Sequence, residues 1–173
     1  MEGKMYQANN DGTIKEVKLD DLYQEVILDH NKRPRNFAKL EHPTSYAHGV
    51  NPLCGDDYEL YLEIDGAEMI RKVGFQGQGC AISKSSASLM TAALEGKNVQ
   101  EAVKLKDGFI QLLTANTVSP ETRAEVGKLK LFEGVKQFPI RVKCATLIWR
   151  ALEEALKDKT QRSPEVSTEK EAT

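Results

Sequence analysis

Three segments carry residue types suited to metal or sulfur chemistry: Asn51-Pro52-Leu53-Cys54-Gly55-Asp56, Gly77-Gln78-Gly79-Cys80 and Phe138-Pro139-Ile140-Arg141-Val142-Lys143-Cys144. They hold all three cysteines of the 173-residue chain. Thiolates are good ligands for zinc, for iron and for iron–sulfur clusters, and a closed tetrahedral site needs four donors. Three cysteines leave one position to fill. Asp56 follows Cys54 across a single glycine, so a tight turn can direct both side chains to the same point. A carboxylate is a harder and more exchangeable donor than a fourth thiolate, which suits a site that must open. Cys80 and Cys144 fall at or near expected helix starts, where free backbone N–H groups favour the thiolate, and Lys143 adds a cation beside Cys144.

A bland reading stands beside this one. Free cysteine is among the most often buried residue types, and Cys144 lies on the apolar stripe of its expected helix. Gaps of 25 residues between Cys54 and Cys80 and 63 between Cys80 and Cys144 match no short zinc-finger spacing. On spacing alone, three unrelated cysteines remain an equal alternative. Asp56 alone is compatible with a turn residue, and Lys143 with surface charge.

Composition narrows the classes of function. Hydrophobic residues make up 40% and charged residues 29%, as in an ordinary globular domain, and the length suits one domain. A net charge of -2 and a pI near 6.0 point away from nucleic acid as a partner. No run approaches the ~18 apolar residues of a membrane span. Met1 to Asn10 has neither the basic nor the apolar part of a secretory signal, so the expected location is the cytoplasm, where thiols stay reduced. Three cysteines cannot all pair within one chain.

The elements that must position these segments follow from periodicity. Residues 1–18 read as a flexible arm with a turn at Asn9-Asn10-Asp11-Gly12. A helix opens at Asp20 or Asp21, carries Leu22, Tyr23, Val26 and Ile27 on one stripe, and ends at Asn31 to Pro34. His30 falls in its last turn, where a protonated imidazole suits the helix dipole better than a metal does. His42 and His48 sit in a Pro- and Gly-containing region without ligand spacing.

From Asp57 to Asp65 the alternation of Tyr58, Leu60, Leu62 and Ile64 with acidic residues predicts a half-buried strand. Asp65-Gly66 turns it into an antiparallel partner over about Glu68 to Phe75, and a further strand is expected around Thr44 to Val50. Gly77-Gln78-Gly79 is expected to break the sheet before a helix over Ala81 to Leu94, whose serines permit close approach to the sheet. Asn98 and Ser119-Pro120 read as caps of two more helices, and a last helix carries Cys144, Leu147, Ile148, Ala151, Leu152 and Ala155 on one stripe. Residues 159–173 read as a disordered tail. The expected fold class is α+β: a small, three-stranded, mainly antiparallel sheet with helices packed largely on one face, and the three segments meeting at one end.

Several spaced motifs resemble one family. Leu22-Tyr23 through His30, Arg33-Pro34-Arg35-Asn36-Phe37, Asn51 through Asp56, Phe75-Gln76-Gly77-Gln78-Gly79-Cys80-Ala81-Ile82-Ser83 and Arg141-Val142-Lys143-Cys144-Ala145-Thr146-Leu147 are similar to the NifU N-terminal/IscU-like proteins of iron–sulfur cluster assembly. The likeness runs from about Asp20 to Leu156 and defines a domain over 19–158. Within the family the chain resembles the SufU-type branch. Lys143 stands where IscU-type members have histidine, and part of about 107–135 is similar to the SufU-type insertion. Gln137-Phe138-Pro139-Ile140-Arg141 also departs from the Leu-Pro-Pro-Val-Lys segment that an Hsp70-type chaperone recognises in IscU-type members.

The resemblance implies a metal site of Cys54, Asp56, Cys80 and Cys144, commonly holding Zn2+ in SufU-type proteins. It implies sulfur acceptance at Cys54 from the persulfide of a SufS-type cysteine desulfurase, a zinc-dependent sulfurtransferase role. The alternative it leaves is a scaffold on which Cys54, Cys80 and Cys144 bind iron or an Fe–S cluster for delivery to apoproteins or downstream assembly proteins. A purely structural zinc module is the blandest class, and the carboxylate donor argues against it.

Overall fold

The computed structural model describes residues 5–8, 14–17, 19–157 and 165–167. The elements are β1 (Met5–Ala8), β2 (Ile14–Val17), α1 (Leu19–Lys32), β3 (Ser45–Asn51), β4 (Asp56–Ile64), β5 (Ile70–Gln78), α2 (Ala81–Leu94), α3 (Val99–Thr114), α4 (Pro120–Val126), a 3-10 segment (Gly127–Gln137), α5 (Pro139–Lys157) and β6 (Glu165–Ser167). β3, β4 and β5 form a three-stranded antiparallel sheet in the order β5-β4-β3, as the sequence predicts. β6 adds in parallel to the free edge of β3, and β1 pairs antiparallel with β2. Those short strands fall within the expected arm and tail, whose other residues lie outside the described ones.

Period-2 alternation decides which face is buried. Tyr58, Leu60 and Leu62 of β4 face Gly49, Ala47 and Ser45 of β3 and Gly77, Phe75 and Val73 of β5 across the ladders. α5 packs over β3 and β4 on this face and α2 over β5, while α1 lies on α2 and α3 on α5. Gly49 lets α5 cross closely, since a Cβ there would lie 3.2 Å from the end of the Leu147 side chain. Gly77 does not end the sheet as expected. β5 runs through it to Gln78, with a φ of 137° and no room for a Cβ against the Asp57 carbonyl. The opposite face is wetter, although Tyr61 packs against Tyr46 there and is buried.

The helix boundaries follow capping chemistry. Asn98 and Glu101 form a reciprocal capping box on α3, and Ser119 caps α4 with Pro120 in the first turn. The serines of α2 serve helix contacts more than the sheet. Ser86 donates to the Ala145 carbonyl and accepts from Trp149 Nε1, and Ser88 bonds His30 Nδ1 at 2.7 Å. Burial, followed by the Arg35 charge, lowers the His30 pKa, so a neutral imidazole bonded to Ser88 replaces the expected protonated helix terminus.

Residues 107–135, the region expected to contain the insertion, form the end of α3, α4 and most of the 3-10 segment. That segment buries Leu129, Phe132 and Val135, spaced three apart, as an element with three residues per turn presents them. Phe132 meets Phe109 edge-on, and Phe109 stacks on Trp149 with centroids 4.5 Å apart. Among the described residues no helix is long and apolar enough to cross a membrane.

Trp149 therefore ties α2, α3 and α5 together from within the core. Trp149→Ala is expected to lower unfolding free energy by about 3–5 kcal/mol. Urea denaturation followed by far-UV circular dichroism measures it, and a loss below about 1 kcal/mol would contradict this placement.

Candidate metal and sulfur site

The last rung of the β3–β4 ladder pairs Asn51 with Asp56. Both are in phase with Tyr58, Leu60 and Leu62, so the alternation that builds the core also turns a carboxylate inward: Asp56 is 0% exposed. The intervening residues form an exposed loop, with Gly55 at a φ of 69° and the Asn51 carbonyl accepting the Cys54 N–H at 3.3 Å. This turn carries Cys54 to within 3.1 Å of Cys144, sulfur to sulfur. Cys54, Asp56 and Cys144 each offer a ligand atom within 4.8 Å of the others.

Cys80 joins from the start of α2. As the N-cap its sulfur accepts the Ser83 N–H at 3.5 Å, while its own N–H donates to Asp56 Oδ1 at 2.9 Å. The Ser83 hydroxyl donates to the same oxygen at 3.0 Å. Gly79 makes this approach possible: a Cβ there would lie 2.5 Å from Ser83 Oγ and 2.6 Å from Asp56 Oδ1 and the Tyr58 hydroxyl oxygen. The Cys80 sulfur is outside the 4.8 Å cluster, turned toward Ser83 Oγ at 3.6 Å.

The thiols are unequal. The neighbouring Cys144 thiol lowers the Cys80 pKa, helped by the Ser83 N–H and hydroxyl and opposed by burial. The neighbouring Cys80 sulfur, then burial and the bond with Cys54, raise that of Cys144. The helix-start argument thus holds for Cys80 and fails for Cys144. α5 begins at Pro139, which leaves Cys144 more than a turn inside it, fully buried, with the Ile140 carbonyl 3.5 Å away. Arg141, one turn before Cys144, is the cation whose pKa the sulfurs raise, Cys80 foremost. An open cleft bordered by α1, α2 and the 3-10 segment reaches Cys80, with Ile82, Phe138 and Arg141 beside it.

The donor set fits a divalent ion. Among the described residues no basic side chain forms an ion pair with Asp56, and a wholly buried carboxylate is costly without a compensating charge. A borderline-soft cation such as Zn2+ matches thiolate and carboxylate donors at this spacing. Three sequence-derived donors are clustered and the fourth, Cys80, adjoins them. His30 and His48 are elsewhere, His48 bonding Asp57 on the other sheet face at 2.6 Å. Sequence reasoning missed Asn51 and Ser83 as site residues. The in-phase position of Asn51 and Asp56 with the buried strand residues was the signal for the first; Ser83, three residues after the capping Cys80, was the signal for the second.

Gly79→Ala is expected to reduce zinc affinity at least about tenfold and to cost about 1–3 kcal/mol of stability through overpacking. Competition against a chelating dye reads the first and chemical denaturation the second. Wild-type affinity would show that the cradle is not closed around Asp56. In metal-free protein at neutral pH, iodoacetamide should modify Cys80 faster than Cys144, by peptide mass spectrometry, because the lowered thiol is ionised there and the buried one is not. The Cys80 advantage should shrink as the pH falls and protonates it.

Comparison with known proteins places this geometry. The profile of the NifU-like N terminal domain matches residues 22–145. The zinc-dependent sulfurtransferase SufU of Bacillus subtilis (strain 168) is 38% identical over 140 residues, 81% of this chain and 92% of that protein. The iron–sulfur cluster assembly scaffold protein IscU of Streptococcus pyogenes serotype M1 is 39% identical over 140 residues, 81% and 86% of the two chains. The crystal structure of FiSufU from Fervidobacterium islandicum AW-1, described as a candidate cluster assembly scaffold for the SUF system, superposes with a TM-score of 0.70 at 35% identity, covering 76% of this chain and 94% of that one. By profile, relatives and fold alike, the chain belongs to the NifU-like N-terminal domain family.

Proposed function

We propose that this protein takes part in iron–sulfur cluster assembly as a zinc-dependent acceptor and carrier of persulfide sulfur, with Cys54 receiving the sulfur from a SufS-type cysteine desulfurase. The observation that carries the reading is the asymmetry of the site: Cys54 rides an exposed loop beside a fully buried carboxylate and a fully buried thiol. The relative named a zinc-dependent sulfurtransferase supports it.

Cys54, Asp56, Cys80 and Cys144 would hold the zinc. Bound zinc would supply charge neutralisation for Asp56 and keep thiols ionised at neutral pH. The chain's own residues do the rest. The Cys54 thiolate attacks the terminal sulfur of the donor persulfide, a new S–S bond forms at Cys54, and the donor's S–S bond breaks with its electron pair leaving on the donor thiolate. One sulfane sulfur changes carrier, with no net oxidation. Gly55 gives the loop its turn, and Ser83 with the Cys80 N–H keeps Asp56 in place while Cys54 moves. A scaffold role is the second reading, favoured by the relatives described as scaffolds.

Protein purified without oxygen should contain about one zinc and no acid-labile sulfide, the stoichiometry of a single tetrahedral site. It should raise the rate of a cysteine desulfurase and gain sulfur at Cys54 by mass spectrometry. Asp56→Ala should lower zinc content. Iron and sulfide that pass to an apoprotein, with little effect on the desulfurase, would establish the scaffold instead.

A further inference from the structure

Asn51 touches every member of the clustered donor set. Its carbonyl accepts the Cys54 N–H at 3.3 Å, and its Nδ2 lies 3.5 Å from Asp56 Oδ2 and 3.7 Å from Cys144 Sγ. The side chain is 1% exposed, and its Oδ1 has no hydrogen-bond partner. A buried asparagine at a strand end is commonly structural. Here, however, both donor contacts point at site atoms, and an amide oxygen is left unpaired in the interior, a cost that packing alone does not explain. The orientation is forced, because the reverse rotamer would set Oδ1 against a carboxylate.

The other sulfurs show what this contact does. Cys80 has the Ser83 N–H, and Cys144 has the Asn51 amide. Among the described residues the only hydrogen-bond partner of the Cys54 sulfur is the Cys144 thiol itself. N–H donors stabilise thiolate charge, and of the three sulfurs Cys54 alone has no N–H donor among the described residues.

We propose that Asn51 is a positioning residue that selects the reactive thiol: its amide secures Asp56 and Cys144, and Cys54 is thereby the sulfur released to a sulfur donor. The reaction named here rests on the sulfur-acceptor reading above; the ranking of the thiols does not.

The test uses zinc-loaded full-length protein and two variants, Asn51→Leu, which keeps the heavy-atom branching and removes the donor, and Asn51→Ala. Each is treated with iodoacetamide, and the Cys54:Cys144 modification ratio is read by peptide mass spectrometry, with zinc content and circular dichroism measured in parallel. In wild type Cys54 should be modified first. In Asn51→Leu the ratio should fall about tenfold, the scale of one hydrogen bond to a charged group, with the fold intact. An unchanged ratio in a folded, zinc-replete variant would overturn the proposal. So would loss of fold in both variants, which would make Asn51 structural. A second arm incubates the proteins with cysteine desulfurase and cysteine. Added sulfur should sit on Cys54 in wild type and spread to Cys144 in Asn51→Leu. No sulfur on any wild-type cysteine would remove the acceptor reading while leaving the alkylation ratio to decide the role of Asn51.

Discussion

A carboxylate is held in the protein interior beside thiols, and most of the site's construction answers that constraint. Asp56 is on the inner face because it is in register with the residues that bury the sheet. Two donors meet its Oδ1, the Cys80 N–H and the Ser83 hydroxyl, and both come from the first turn of α2. Gly79 must lack a side chain for that turn to come so close, and Gly77 must adopt a φ that other residues avoid. Remaining negative charge is left for a cation to neutralise.

The same core gives the three cysteines different settings. Cys144 is in the middle of the packed face of α5, one residue before the Ala145 carbonyl that Ser86 binds and five before Trp149. Moving it would disturb the contact between α2 and α5. Cys80 is tied to the helix it caps. Cys54 alone belongs to a loop, with exposed Leu53 and Gly55 on either side. Secondary structure thus separates the three sulfurs: one in a helix, one at a helix cap and one in a turn. A site that accepts and passes on an atom needs such a division, since a uniformly rigid donor set would close it and a uniformly loose one would lose the metal.

Charge outside the site follows a different logic. Arg141 stands on the exposed side of the sulfurs at the mouth of the cleft that reaches Cys80. Phe138 and Ile140, both exposed, flank it on the same short stretch, and Leu53 is exposed beside Cys54. The buried wall of the site is therefore acidic and amide-lined, and its open rim is apolar and cationic.

Much of the architecture was legible from the chain. The alternation of Tyr58, Leu60 and Leu62, the caps at Asn98 and Ser119, and the stripe from Cys144 to Ala155 each correspond to a local rule with a fixed period or position, and each is found where that rule puts it. The 3-10 form of Gly127–Gln137 was not legible, because burial against Phe109 and α5 selects it over competing local conformations. Nor was the neutral state of His30, which depends on Ser88 from another helix.

The residue types of the site, Cys54, Asp56, Cys80 and Cys144, were determined by the sequence alone, as was the turn that links the first two. Only the tertiary structure decided which sulfur is buried, which caps a helix and which lies half-buried in a loop. It also brought Asn51 and Ser83 to the donors. Proximity between residues separated by 93 positions, as in Asn51 and Cys144, arises from how α5 packs across β3, and no local spacing encodes that crossing.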